Sequence, residues 1–184
     1  MRLVGEESRK TYMDKINNGF FIRFMKGSGL DIGYAGYLQN TLPILPTATG
    51  VDLSYPGYDG KKLPFPDNSQ DYVYSSHCLE HIADFKNAIQ EWHRVVKKGG
   101  FIITIVPHRD LYEKKFFLPS RFNGDHKRFY QTSDLIKEFE ISLPTNSFRI
   151  RHLQENDAGH DYSQPEEEHS KGQYEIELVI EKIS

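Results

Sequence analysis

The chain has 184 residues, 38% hydrophobic and 27% charged, with a formal net charge of −3. A single domain of this size buries about 70% of its unfolded surface, so no disulfide or metal is needed to hold it together. The negative balance argues against generic nucleic-acid binding, the single cysteine, Cys78, excludes an intramolecular disulfide, and no apolar run is long enough to span a bilayer. Acidic residues stand near the amino terminus where a signal peptide needs an apolar core, which predicts a cytoplasmic protein without membrane or nucleic-acid partners.

Residues 6–25 read as one amphipathic helix or two short ones, with Tyr12, Ile16, Phe20 and Phe24 spaced by four on one face. Residues 1–27 then form a helical cap. The first strand ends in Asp31 and runs into the small residues of Gly33-Tyr-Ala-Gly36, a turn where the backbone can approach a ligand closely and present free N–H groups. Tyr34 to Leu42 leaves room for a short helix only, because Pro43 and Pro46 force extended backbone before a second strand at Ala48 to Leu53. Asp52 stands at that strand's end, twenty-one positions after Asp31, a separation at which an acidic side chain reaches ribose hydroxyls.

Between Leu53 and the Leu63-Pro-Phe65 segment the connection is too short for a helix and a further strand. A buried strand follows at Asp71 to Ser76, then a helix at Asp84 to Lys97 with Phe85, Ala88, Ile89, Trp92 and Val95/Val96 facing inward. Gly99-Gly100 is expected to close that helix before a central strand at Phe101 to Val106. Cys78 reads as a buried thiol rather than a nucleophile. An irregular insertion over 108–131 precedes a helix from Thr132 or Ser133, and strands near 147–154 and 174–182 flank a solvated loop carrying Glu166-Glu167-Glu168. The pattern predicts one α/β domain over residues 1–184 on a mostly parallel sheet.

The succession Asp31-Ile-Gly33, Gly50-Val-Asp52, Leu63-Pro-Phe65, His77-Cys-Leu-Glu-His81 and Gly99-Gly100 resembles class I S-adenosylmethionine-dependent methyltransferases of the type 11 kind, across residues 28–107. The resemblance implies a Rossmann-like, doubly wound sheet in a three-layer sandwich, with an antiparallel strand near the carboxyl end. The short connection after Leu53 trims one edge strand and its helix. It implies S-adenosyl-L-methionine as cofactor. Asp31 would serve its amino group, Gly33, Tyr34, Ala35 and Gly36 its methionine moiety, and Asp52 with Leu53 its ribose. Asp59 and Gly60 would read the adenine, and Ser76 would lie beside the cofactor. Two departures stand out: alanine occupies the place of the family's second loop glycine, and Asp59 lies in the shortened connection.

The implied activity is methyl transfer to a small-molecule or glycan-like acceptor. The insertion concentrates six basic against three acidic side chains over 109–130, which suits an anionic acceptor and marks 108–131 as a substrate lid. His108, Arg109, Arg121 and Arg128 are the candidate acceptor contacts. His126 is the candidate general base, and His77, just past a strand end, is a second catalytic candidate. Two other classes compete. A non-catalytic binding protein would keep the fold, its crevice shallow or filled by Tyr34, Tyr37 and Tyr55. His77-x-x-Glu80-His81 also spells a zinc-hydrolase signature. The strand leading into His77 argues against that helix-borne site, favouring Glu80 and His81 as caps for the next helix; no other His or Cys pair has compact ligand spacing, so no metal is expected.

Overall fold

The computed structural model describes residues 3–36 and 40–184. Helix α1 (Glu6–Asn17) and the single turn α2 (Phe20–Phe24) lead into β1 (Gly29–Ile32) and β2 (Ala48–Val51). These are followed by β3 (Gln70–Ser76), α3 (Phe85–Val95), β4 (Val96–Pro107), α4 (Thr132–Ser142), β5 (Phe148–Asn156) and β6 (Glu175–Lys182). The six strands make one sheet in the order β2-β1-β3-β4-β6-β5. The first four run parallel; β6 is antiparallel to β4 and to β5. This is the expected Rossmann-like arrangement, and β2 stands at the edge where a longer connection would have added another strand.

Two apolar layers bracket the sheet. On one face, Leu30, Val51, Val73 and Ile102 meet Ile89, Trp92 and Val95 of α3 and Leu135 and Phe139 of α4. On the other, Tyr72, Tyr74, Ile103, Ile105 and Val179 meet Tyr12, Phe20, Phe21 and Phe24 of the amino-terminal helices. Strands buried on both faces read as continuous apolar runs, which is why β3 and β4 were legible as strands without alternation.

Local structure departs from the sequence expectation in three places. Ile16 is 44% exposed although Tyr12, Phe20 and Phe24 are buried; α1 ends at Asn17, and Gly19 takes φ 75°, so the four-residue spacing does not continue from one helix to the next. Gly99-Gly100 does not close α3, which stops at Val95; residues 97–100 bulge from β4, between the pairs Gln70–Val96 and Tyr72–Phe101. The cap of α3 is Asp84, whose Oδ1 accepts from Asn87 N at 3.1 Å, while Leu79–His81 form a separate 3₁₀ turn. The proposed short helix after Tyr34 falls in part outside the described residues.

The trimmed edge is held by side chains in place of a strand. Arg94 of α3 forks onto Glu91 at 2.8 and 2.7 Å and donates to the carbonyls of Leu63 and Phe65, both at 2.9 Å. Glu91 accepts the Leu63 N–H at 2.8 Å. Three hydrogen bonds thus anchor the Leu-Pro-Phe segment to the helix behind it, and the Arg94–Glu91 fork orients the side chains that make them.

Lys15 is 2% exposed, its Nζ 2.7 Å from Glu177 and 3.7 Å from Glu175 of β6. Burial alone would raise both carboxyls, but His77 and Lys15 hold Glu175 below the ordinary value of 4.5, and His152 and Lys15 do the same for Glu177. Depressed carboxylates contribute stability fully above pH 4.5 and lose it as pH falls through their lower folded values. Lys15→Ala should therefore cost about 3–5 kcal/mol in urea unfolding at neutral pH, because it strands buried carboxylates. It should also flatten the acid limb of the stability profile.

Candidate functional site

The carboxyl ends of β1, β2 and β3 open into a crevice centred on Gly33, the usual ligand position of an open parallel sheet. Gly33 takes φ 77°, and its N–H donates to Val51 O at 2.8 Å. A Cβ there would sit 2.5 Å from Cys78 Sγ, so only glycine lets β1 turn beneath the residues that follow β3. Burial pushes the Cys78 thiol up to about 12, which leaves it a packing group rather than a nucleophile.

Three connected parts of the crevice share Gly33. One, of about 260 Å³, is lined by Asp31, Tyr34, Ala35, Ser76, His77 and the segment from Val4 to Ser8. The amino-terminal cap thus covers this end of the sheet. Asp31 is 5% exposed, and its Oδ2 accepts the Ile44 N–H at 2.6 Å.

A second part, of about 430 Å³ and mostly apolar, runs past Val51, Asp52, Leu53, Tyr58, Gly60, Ile82 and Ala83. Asp52 follows β2 directly; its Oδ1 accepts from Ser54 N at 2.9 Å and Ser54 Oγ at 2.6 Å, while its buried Oδ2 has no hydrogen-bond partner. An oriented, half-satisfied carboxylate at a strand end fits a pair of ribose hydroxyls. Asp59 is turned the other way, accepting the N–H groups of Lys61 and Lys62 at 2.9 and 2.8 Å at the surface.

The third part, of about 610 Å³, joins Gly33, Ala35, Asp52 and His77 to His81, Asn123, Asp125 and Lys127. The second half of the 108–131 insertion therefore borders the crevice. Tyr34 packs in the space beside Gly50 and Gly36, where an added Cβ would overlap its ring. Tyr55 stacks at 5.5 Å on Phe65, and Tyr37 lies outside the described residues.

The candidate acceptor contacts are not brought together. Arg121 faces Glu166 and Glu167 at 3.6 Å, and Arg109 pairs with Asp110 at 2.7 Å. His108 is 8% exposed and accepts the Asp110 N–H at 3.1 Å. Arg128 clamps the turn before α3, donating to Leu79 O at 2.8 Å and Ala83 O at 2.9 Å. Net charge over a segment does not reveal which cations are already spent on carbonyls and neighbouring carboxylates.

The two imidazoles differ in setting. His77 borders the crevice and lies 3.1 Å from Glu175; burial would lower its pKa, but the Glu175 contact and the charges of Glu80 and Glu7 raise it. His126 is 6% exposed, its Nδ1 2.5 Å from Glu113, and its ring packs 4.8 Å from that of His81. Burial and the neighbouring His126 push His81 down to about 4.

Gly33→Ala should destabilise the chain well beyond the roughly 1–2 kcal/mol of left-handed strain, because Cys78 leaves no space. Gly99→Ala, with φ 81° and nothing within 4 Å of its added Cβ, should cost the strain alone. Urea unfolding of the two variants gives the comparison.

Comparison with known proteins agrees with this geometry. Residues 47–104 match the methyltransferase domain family. Demethylmenaquinone methyltransferase of Staphylococcus epidermidis is 37% identical over 67 residues, 35% of this chain and 28% of that enzyme. The Geobacillus stearothermophilus enzyme of the same name is 43% identical over 91 residues, 45% of this chain and 39% of that enzyme. The matched stretch thus spans well under half the length of either relative. A solved S-adenosylmethionine-dependent methyltransferase of Aquifex aeolicus superposes with TM-score 0.62 at 13% identity, over 97% of this chain and 94% of its own. Residues 47–104 thus carry a match to the methyltransferase domain family, on a Rossmann-like fold shared with a solved S-adenosylmethionine-dependent methyltransferase.

Proposed function

We propose that the chain binds S-adenosyl-L-methionine in the Gly33 crevice and transfers its methyl group to a small, anionic or glycan-like acceptor. The observation that carries this reading is the buried, unpartnered Oδ2 of Asp52 beside a Gly33 turn too tight for any side chain. Asp52 would hold the ribose hydroxyls, with Leu53, Tyr58 and Gly60 around the adenine. Asp31, Gly33, Tyr34, Ala35 and Ser76 would enclose the methionine moiety beneath the cap of residues 4–8.

Bound S-adenosylmethionine supplies an electrophilic methyl on sulfur. The chain's part is to position the acceptor in line with that methyl and to keep competing water out. Residues 108–131 act as the lid in this reading, contributing Asn123, Asp125 and Lys127 at the mouth. His77, raised by Glu175, is placed to take the acceptor's proton, and His126 reaches the crevice only through His81.

Calorimetric titration with S-adenosylhomocysteine tests the cofactor site. Asp52→Ala should weaken binding about 10- to 100-fold, the loss of charge-assisted hydrogen bonds to two hydroxyls. Asp59→Ala should change it little. Equal losses would return the adenine edge to Asp59, and no binding by the native chain would leave the non-catalytic scaffold as the surviving alternative. His77→Gln should lower kcat by about 100-fold or more while leaving S-adenosylhomocysteine affinity within a few-fold; parallel losses in both would make His77 a cofactor contact.

A further inference from the structure

A cluster that the methyl-transfer reading leaves without a task lies at the inner wall of the crevice. Glu80, His81 and His126 each place one ligand atom within 4.8 Å of the other two. His81 and His126 stand forty-five positions apart, and the Lys127 N–H, donating to Glu80 O at 2.8 Å, ties their two segments together.

Glu80 is 0% exposed, and neither of its carboxylate oxygens has a hydrogen-bond partner. Its nearest imidazole nitrogens are His81 Nε2 at 3.8 Å and His77 Nδ1 at 3.9 Å, beyond hydrogen-bond reach. His77 is already engaged with Glu175. A wholly buried carboxylate persists where positive charge meets it. Behind the cluster, Glu113 is itself fixed by Ser120 Oγ at 2.6 Å and holds His126 by Nδ1, which leaves Nε2 as the ligand nitrogen. A carboxylate that orients an imidazole in this way is the support that metal-binding histidines use.

We propose that Glu80, His81 and His126 form a binding site for a divalent transition ion of the zinc type, with its remaining coordination position open to the crevice. Imidazole and carboxylate donors suit such an ion, and two histidines with one glutamate leave a fourth position for water or an acceptor oxygen. Tetrahedral bonds of about 2.0–2.2 Å put ligand atoms about 3.4 Å apart, so ligand atoms now within 4.8 Å of one another close the site by drawing together roughly 1.4 Å at most. The His81 side chain, 34% exposed, is the solvent-facing member of the three, and its two partners are buried. The signature His77-x-x-Glu80-His81 contains two of the ligands, but the tertiary fold replaces His77 by His126. The same opening meets Asp125 and Lys127, where the ion would hold an acceptor.

The test is titration of the chelator-treated, full chain with zinc in competition with a chromophoric chelator, and with cobalt followed by visible absorption. One equivalent should bind with a submicromolar Kd and give the intense cobalt bands of a low-coordinate nitrogen and oxygen site. His81→Ala and Glu80→Gln should each weaken binding at least about 100-fold, with the metal-free melting temperature of His81→Ala close to that of the native chain. His160→Ala, remote from the cluster, should bind as the native chain does. Absence of a stoichiometric ion, or an ion retained by His81→Ala, overturns the proposal; if Glu80→Gln does not fold, His81→Ala decides. The readout uses no cofactor, so it stands or falls separately from methyl transfer.

Discussion

The structure depends on the contact between Gly33 and Cys78. Strand β1 is paired on both sides, Asp31 with Gly50 and Tyr74, Ile32 with Val51 and Ser75. It must end at the same level as its neighbours for a crevice to open there. With the Cys78 thiol against the backbone and φ 77° at Gly33, the chain reverses under the residues that leave β3. That reversal brings Asp31, Asp52 and His77 to one opening. A side chain at Gly33 would push the two strand ends apart, and the crevice would lose its floor.

A second constraint runs through the opposite layer. Lys15, Glu175, Glu177, His77 and Glu80 form a buried succession of charges that leads from α1 across β6 to the end of β3. Desolvated charges of this kind contribute little net stability, yet they are costly to separate, so they register the amino-terminal cap against the sheet. The cap covers the Asp31 and His77 end of the crevice by virtue of that register. Apolar packing of Phe20 and Phe24 supplies the area; the charges supply the position.

The edge of the sheet shows how a domain can shed an element and retain its site. Without a strand beyond β2, the segment after Asp52 has no ladder to join, and Arg94 with Glu91 substitutes side-chain hydrogen bonds for it. Asp52 keeps its place because β2 remains paired with β1. Asp59, one loop further, satisfies its own carboxylate on neighbouring N–H groups. The part of the crevice beside Asp52 is consequently shaped more by Leu53, Tyr58 and Ile82 than by a second acidic residue.

By itself the sequence determined the α/β class, the six strands, the inward face of α3 and the positions of Asp31, Gly33 and Asp52. Those signals are local: apolar runs, helical spacing, and an acidic residue or glycine at a strand end. Tertiary structure alone decided which charges are available. Arg121 and Arg128 stood as acceptor contacts in a basic segment and are held by Glu166, Glu167 and backbone carbonyls, and Lys15 of the amino-terminal helix is buried against Glu175 and Glu177. The bulge at 97–100 was equally illegible, because a Gly-Gly pair serves a helix end or a strand irregularity with the same backbone freedom. The meeting of Glu80 and His81 with His126 lay furthest from view, since ligand spacing along a chain reports only the groups that one element carries and this cluster joins a turn after β3 to a loop after β4.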